Sequence, residues 1–152
     1  VYRNPANVFV AGFLANPPMN LVAGRLDGSQ GGLAVEIGRA RLPLPEAHAA
    51  AFATLAGKPA TIGLRPEDFH LVARGDATVP LPLAVVALET LGPEVIIVGA
   101  LGGNGGPEVQ ARAPRDFTAK PGSELTLHYD LAELHVFDPA TGAAVKRPAA
   151  AT

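Results

Sequence analysis

The run Leu83-Ala84-Val85-Val86-Ala87-Leu88-Glu89-Thr90-Leu91-Gly92-Pro93-Glu94-Val95-Ile96-Ile97-Val98-Gly99-Ala100-Leu101 decides the fold class. Two apolar, β-branched stretches flank Gly92-Pro93, a dipeptide that marks a turn. Strands are therefore predicted over residues 83–91 and 95–101. Outward from this pair the same pattern recurs. Further strands are predicted over residues 21–26, 33–37, 39–44, 60–64, 70–73, 108–113, 124–129 and 134–137. Short β segments at this spacing, separated by Gly and Pro, predict a mainly β domain built as a small barrel or sandwich.

Two helices punctuate the strands. Asn4 suits an N-cap and Pro5 the first helical position, where its missing N–H costs nothing. Ala6, Phe9, Val10, Phe13 and Leu14 then form one apolar stripe, and Pro17-Pro18 stops the helix. A helix of about ten residues is marginal alone in water, so the stripe requires a covering surface. The second helix is predicted over residues 46–56, opened by Pro45 and ended by a left-handed Gly57, with Phe52 and Leu55 on one side. The Ala- and Pro-rich tail from residue 145 is expected to fray.

With 152 residues, 48% of them hydrophobic and 17% charged, the chain can bury a core as one domain. A net charge of −2 and 5% aromatic residues argue against nucleic-acid binding, which draws on Lys and Arg for phosphate and on aromatic rings for bases. The absence of Cys rules out disulfides and thiolate metal sites. There is no apolar run of about 18 residues, so no membrane span is expected, and the N-terminus does not read as a signal peptide.

Residues able to carry chemistry are scattered along the chain. Gly102-Gly103-Asn104-Gly105-Gly106 lacks the Lys and Ser/Thr of a phosphate loop and lies between two β runs, so it reads as a turn. His48, His70, His128 and His135 show no metal-ligand spacing. Ser29 and Ser123 sit in loops with no nucleophile elbow. Glu67-Asp68 and Asp130/Glu133 read as solvated turn carboxylates. Arg65-Pro66-Glu67 is more pointed, because a proline holds a charged pair in a fixed direction at the end of a β run. It reads either as a strand-terminating turn with a weak exposed ion pair or as a rigid corner for a partner.

Five motifs in order carry a resemblance that spans the chain from Tyr2 to about Val145. They are Tyr2 to Phe13, Asn16-Pro17-Pro18-Met19-Asn20, Ile62 to Asp68, Leu88 to Glu94, and Leu134-His135-Val136-Phe137-Asp138-Pro139-Ala140-Thr141-Gly142. Together they resemble the C-terminal part of the ATP-binding subunit of bacterial importers of the maltose and glycerol-3-phosphate type. Ala15-Asn16 stands where Gly-Ser is more usual, and Leu64 where Ile is common.

The resemblance implies an OB-fold-like β-barrel, often called TOBE, with a short N-terminal helix and one inserted helix. Residues 1–18 would then be the terminal helix and linker of a nucleotide-binding domain, 19–147 the TOBE domain and 148–152 a disordered tail. The apolar stripe would be covered by the ATPase body on this reading, or otherwise by the rest of the domain. No cofactor is expected here, whereas the full subunit would take ATP and Mg. The implied partners are a second copy, the ATPase core and permease subunits, and a regulatory protein, at the inner face of the membrane. The contact candidates are Arg65, Pro66, Glu67, Gly92, Glu94, His135, Phe137 and Asp138, with Phe137 as the apolar anchor. The alternative is a free-standing domain binding an oxyanion or sugar phosphate, for which only the scattered Arg39, Arg41, Arg65 and Arg112 are available.

Overall fold

The computed structural model describes residues 18–29, 32–75 and 78–145. Their strands, in chain order, are β1 (Asn20–Asp27), β2 (Ala34–Ile37), β3 (Ala40–Pro43), β4 (Pro59–Leu64) and β5 (Phe69–His70), then β6 (Thr78–Leu91), β7 (Glu94–Leu101), β8 (Glu108–Pro114), β9 (Glu124–Asp130) and β10 (His135–Phe137). They make two five-stranded antiparallel sheets, ordered β10-β4-β1-β2-β3 and β5-β9-β6-β7-β8, one of them a half-barrel. The expectation of a mainly β chain is met. The helix expected over residues 4–14 and the tail from 146 lie outside the described residues.

Strand alternation builds the core. Val22 and Leu26 of β1 and Ala60, Ile62 and Leu64 of β4 face inward from the first sheet. Leu81, Leu83 and Val85 of β6, Ile97 of β7, Val109 of β8 and Leu127 and Tyr129 of β9 meet them from the second. These residues form one continuous cluster. Burying each large aliphatic side chain stabilises the fold by about 1.5–3 kcal/mol relative to exposure.

Three elements differ from their predicted form. β6 begins at Thr78 rather than at residue 83, running through Pro80 and Pro82. Over residues 78–82 it pairs with β9 alone, and β7 joins only from Leu83 onward. The prolines thus sit where one edge of the strand has no ladder to lose, and the Pro82 carbonyl accepts instead from the Gly102 N–H at 2.8 Å. The inserted helix α1 spans only Glu46–Ala51 and is followed by a 3-10 turn, Ala53–Leu55. Phe52 ends the helix with ψ of 10° and is fully buried in the core, while Gly57 adopts the expected left-handed conformation with φ of +78°. β5 is Phe69–His70, where residues 70–73 were expected, because Phe69 packs on Tyr129 of β9 at 4.9 Å between ring centroids.

Candidate functional site

The Arg65 corner lies between the two sheets. β4 ends at Leu64, and Pro66 opens a 3-10 turn over Pro66–Asp68. The Arg65 backbone N–H donates to the Tyr129 hydroxyl at 3.1 Å, and its Nε–H donates to His135 Nε2 at 3.4 Å. The guanidinium lies 3.9 Å from the Glu67 carboxylate. Arg65 itself is only 3% exposed, so the expected exposed ion pair is instead a buried cation reaching toward a solvent-facing carboxylate. The Tyr129 hydroxyl donates onward to the Glu133 carbonyl at 3.0 Å. Burial, helped by the charge of Asp68, pushes the Tyr129 phenol well above its ordinary value against the opposing hydrogen bond from Arg65. A neutral phenol both accepts and donates, which lets Tyr129 of the second sheet join the end of β4 to the turn leading into β10.

On β10, His135 and Phe137 are buried and their rings stack at 6.4 Å and 15°. Phe137 packs with Met19 in a small cluster separate from the main core. Their approach leaves no room at Gly63, where a Cβ would meet the Met19 sulfur and lie 2.9 Å from Phe137 Cε2. Phe137 is fully buried within the chain and offers no surface to a partner in this arrangement, which differs from its expected place as an anchor. Asp138 instead shapes its own turn, accepting the Ala140 N–H at 2.8 Å.

On the other side of the corner, Glu67 and Glu94 line an open groove of about 480 Å³ with Phe69, His70, Arg74 and Arg112. Arg112 lies 3.7 Å from Glu94, a diagonal pair across β7 and β8. The Gly92 carbonyl at the β6–β7 turn accepts from Arg115 at 3.3 Å. Partial burial, then the Arg74 charge, holds His70 below the usual imidazole range, with Asp130 opposing. The eight sequence candidates thus divide in two. Arg65, Pro66, His135 and Phe137 are buried, while Glu67, Gly92, Glu94 and Asp138 reach solvent.

The four arginines differ in their surroundings. Arg41 bonds Asp27 at 2.7 Å and Glu36 at 3.1 Å, holding the Asp27 carboxyl below its ordinary value. Arg39 sits in the exposed β2–β3 turn, Arg65 faces His135 and Arg112 faces Glu94. No group of three or more His, Cys, Asp or Glu among the described residues could hold a metal ion. No helix among them is long and apolar enough to cross a membrane.

One structural residue escaped sequence reasoning. The Asn20 side chain donates to the Leu64 carbonyl at 2.9 Å and the Gln110 carbonyl at 2.8 Å, and accepts the Gln110 N–H at 2.8 Å. It pairs with the edge of β8 as a strand backbone would. Its place in the motif was visible, but a partner 90 residues away was not.

Comparison with known proteins gives a consistent picture. Residues 16–69 match the MalK OB fold domain and residues 62–137 the TOBE domain. The chain is 38% identical over 143 residues to the sn-glycerol-3-phosphate import ATP-binding protein UgpC of Pectobacterium atrosepticum, covering 93% of this chain and 37% of that protein. It is 37% identical over 150 residues to UgpC of Chromobacterium violaceum, covering 99% of this chain and 38% of that one. It is also 35% identical over 148 residues to the uncharacterized ABC transporter ATP-binding protein YcjV of Escherichia coli O157:H7, covering 96% of this chain and 39% of that protein. The chain therefore spans under two fifths of the length of these curated relatives. Among solved structures, the molybdate-bound cytoplasmic protein ModG superposes with a TM-score of 0.55 at 17% identity, over 79% of this chain and 96% of that one, a likeness of fold. This chain belongs to the family of MalK-type OB-fold and TOBE domains found in ABC transporter ATP-binding proteins.

Proposed function

We propose that this chain is the regulatory and dimerisation part of the ATP-binding subunit of an importer for carbohydrate or glycerol phosphate. The observation that carries the reading is the similarity to such subunits along 93–99% of the chain, with the remaining three fifths of those proteins left over for the catalytic machinery. In this reading residues 1–18 are the last helix and linker of the nucleotide-binding domain, 19–147 the TOBE domain and 148–152 a tail. The chain itself catalyses nothing; ATP and Mg are bound by the rest of the subunit, which sits on the cytoplasmic face of the membrane with its permease partners. A second copy and a regulatory protein are the macromolecular partners, and nucleic acid is not one.

The geometry supports a division of labour among the contact candidates, with Glu67 and Glu94 on one groove and Asp138 in the turn after β10. Glu67, Gly92, Glu94 and Asp138 present polar groups to a partner, while Arg65, Pro66, His135 and Phe137 are buried and hold the elements that carry them. The test is sedimentation of the full-length subunit carrying Glu67→Lys with Glu94→Lys. Weakened self-association or loss of regulator binding supports the reading; unchanged values for both refute this surface. A second reading, a small-anion binding domain, draws on the fold shared with a protein described as molybdate-binding. Titration with molybdate and with glycerol 3-phosphate separates the two, since tight, saturable binding by the chain favours the second.

A further inference from the structure

We infer that Met19-Asn20 is an entry clamp, which fixes the chain arriving through Pro18 to both sheets and sets the direction in which it enters the domain. Asn20 is the first residue of β1. Its amide spans the inter-sheet gap, with one bond to Leu64 at the end of β4 and two to Gln110 in β8. Gln110 lies on an edge strand, so its N–H and carbonyl would otherwise face away from any ladder. Asn20 supplies one donor and one acceptor in the spacing of a peptide group, and its second N–H serves Leu64.

One residue earlier, Met19 is 5% exposed and seated against Phe137, with its sulfur over Gly63. Gly63 of β4 pairs with His135 of β10, so Met19 rests on two adjacent strands of the first sheet. Pro18, immediately before, is exposed. Two successive residues thus anchor by different means, one apolar in the first sheet and one polar across both. A single hydrogen bond would leave the entering chain free to pivot, whereas contacts that converge from two sheets fix its direction as well as its position. The clamp itself stands on this geometry alone; its meaning for transport, as the seat that orients the regulatory domain on the ATPase body, rests on the function proposed above.

The chain has no Cys, so pairs of introduced cysteines can be spin-labelled without background. Label pair 18/126 reports the entry point relative to the second sheet, and pair 58/126 reports one sheet relative to the other; all three positions are exposed. Double electron–electron resonance on the folded chain is expected to give a narrow 18/126 distance distribution that broadens at least twofold in Asn20→Ala, with 58/126 unchanged. Asn20→Asp keeps the acceptor for Gln110 and loses both donors, so intermediate broadening is expected. An 18/126 distribution unaltered in both variants overturns the clamp. Equal broadening of both label pairs also overturns it, since Asn20 would then be a general staple between sheets. Either result leaves the ABC assignment untouched, because that assignment is tested on the full-length polypeptide.

Discussion

Replacing Tyr129 with Phe removes one oxygen from the centre of the Arg65 corner and leaves the ring in place. The edge-on contact with Phe69 at 4.9 Å needs no hydroxyl, so packing is retained. Two hydrogen bonds are lost, the one accepted from the buried Arg65 N–H and the one donated to the Glu133 carbonyl. Stranding a buried N–H costs about 1–3 kcal/mol, and losing a bond to a carbonyl that water can reach costs about 0.5–1.5 kcal/mol. Together these come to about 1.5–4.5 kcal/mol. In urea unfolding with a slope of about 2 kcal/mol/M, the midpoint should fall by about 1–2 M with the slope unchanged. A second signature is alkaline. The native state keeps the Tyr129 proton above pH 10.0, where the unfolded chain loses it, so native stability should fall as pH rises past that value. Tyr129→Phe should flatten this fall. A cost under about 0.5 kcal/mol, together with an unchanged alkaline limb, would refute the account of the corner.

Gly63→Ala should destabilise by about 1–3 kcal/mol through crowding of Met19 and Phe137. The double variant with Met19→Ala should be less than additive in thermal unfolding, since the removed side chain makes room for the new methyl. Below pH 6.5 the unfolded chain takes up a proton at His70 that the native site resists, so stability should fall with acidification and level off once the native site also protonates; His70→Gln should reduce that slope. The Asp27 carboxyl should titrate below 3.8 by NMR and return toward that value in Arg41→Gln. Its contribution is present above pH 3.8 and is lost as pH falls through the lower native value.

The strands were legible because their information is local. Leu83 to Leu101 announces two β segments and a turn, and β6 and β7 pair across that turn. Pro80 and Pro82 hid the first part of β6, since prolines argue against a strand unless one edge is unladdered, and that edge is set by tertiary structure. The helix was overextended because alanine propensity says nothing of Phe52 being drawn into the core. At the candidate site, the Arg65-Pro66-Glu67 motif marked the turn that ends β4, but burial of Arg65 depends on Tyr129 and His135, which lie 64 and 70 residues away. The motif around Phe137 marked it as a contact anchor, whereas its packing inside the chain depends on Met19, at the far end of the sequence. Contacts made by distant side chains, those of Asn20 above all, leave no periodicity to read.

The most direct test of the central claim is the intact mass and N-terminal sequence of the native polypeptide in its source cell. A polypeptide more than twice the length of this chain, with a phosphate-binding loop upstream of Val1, is the expected result, since the chain spans only 37–39% of its relatives. A native polypeptide that starts near Val1 would contradict it.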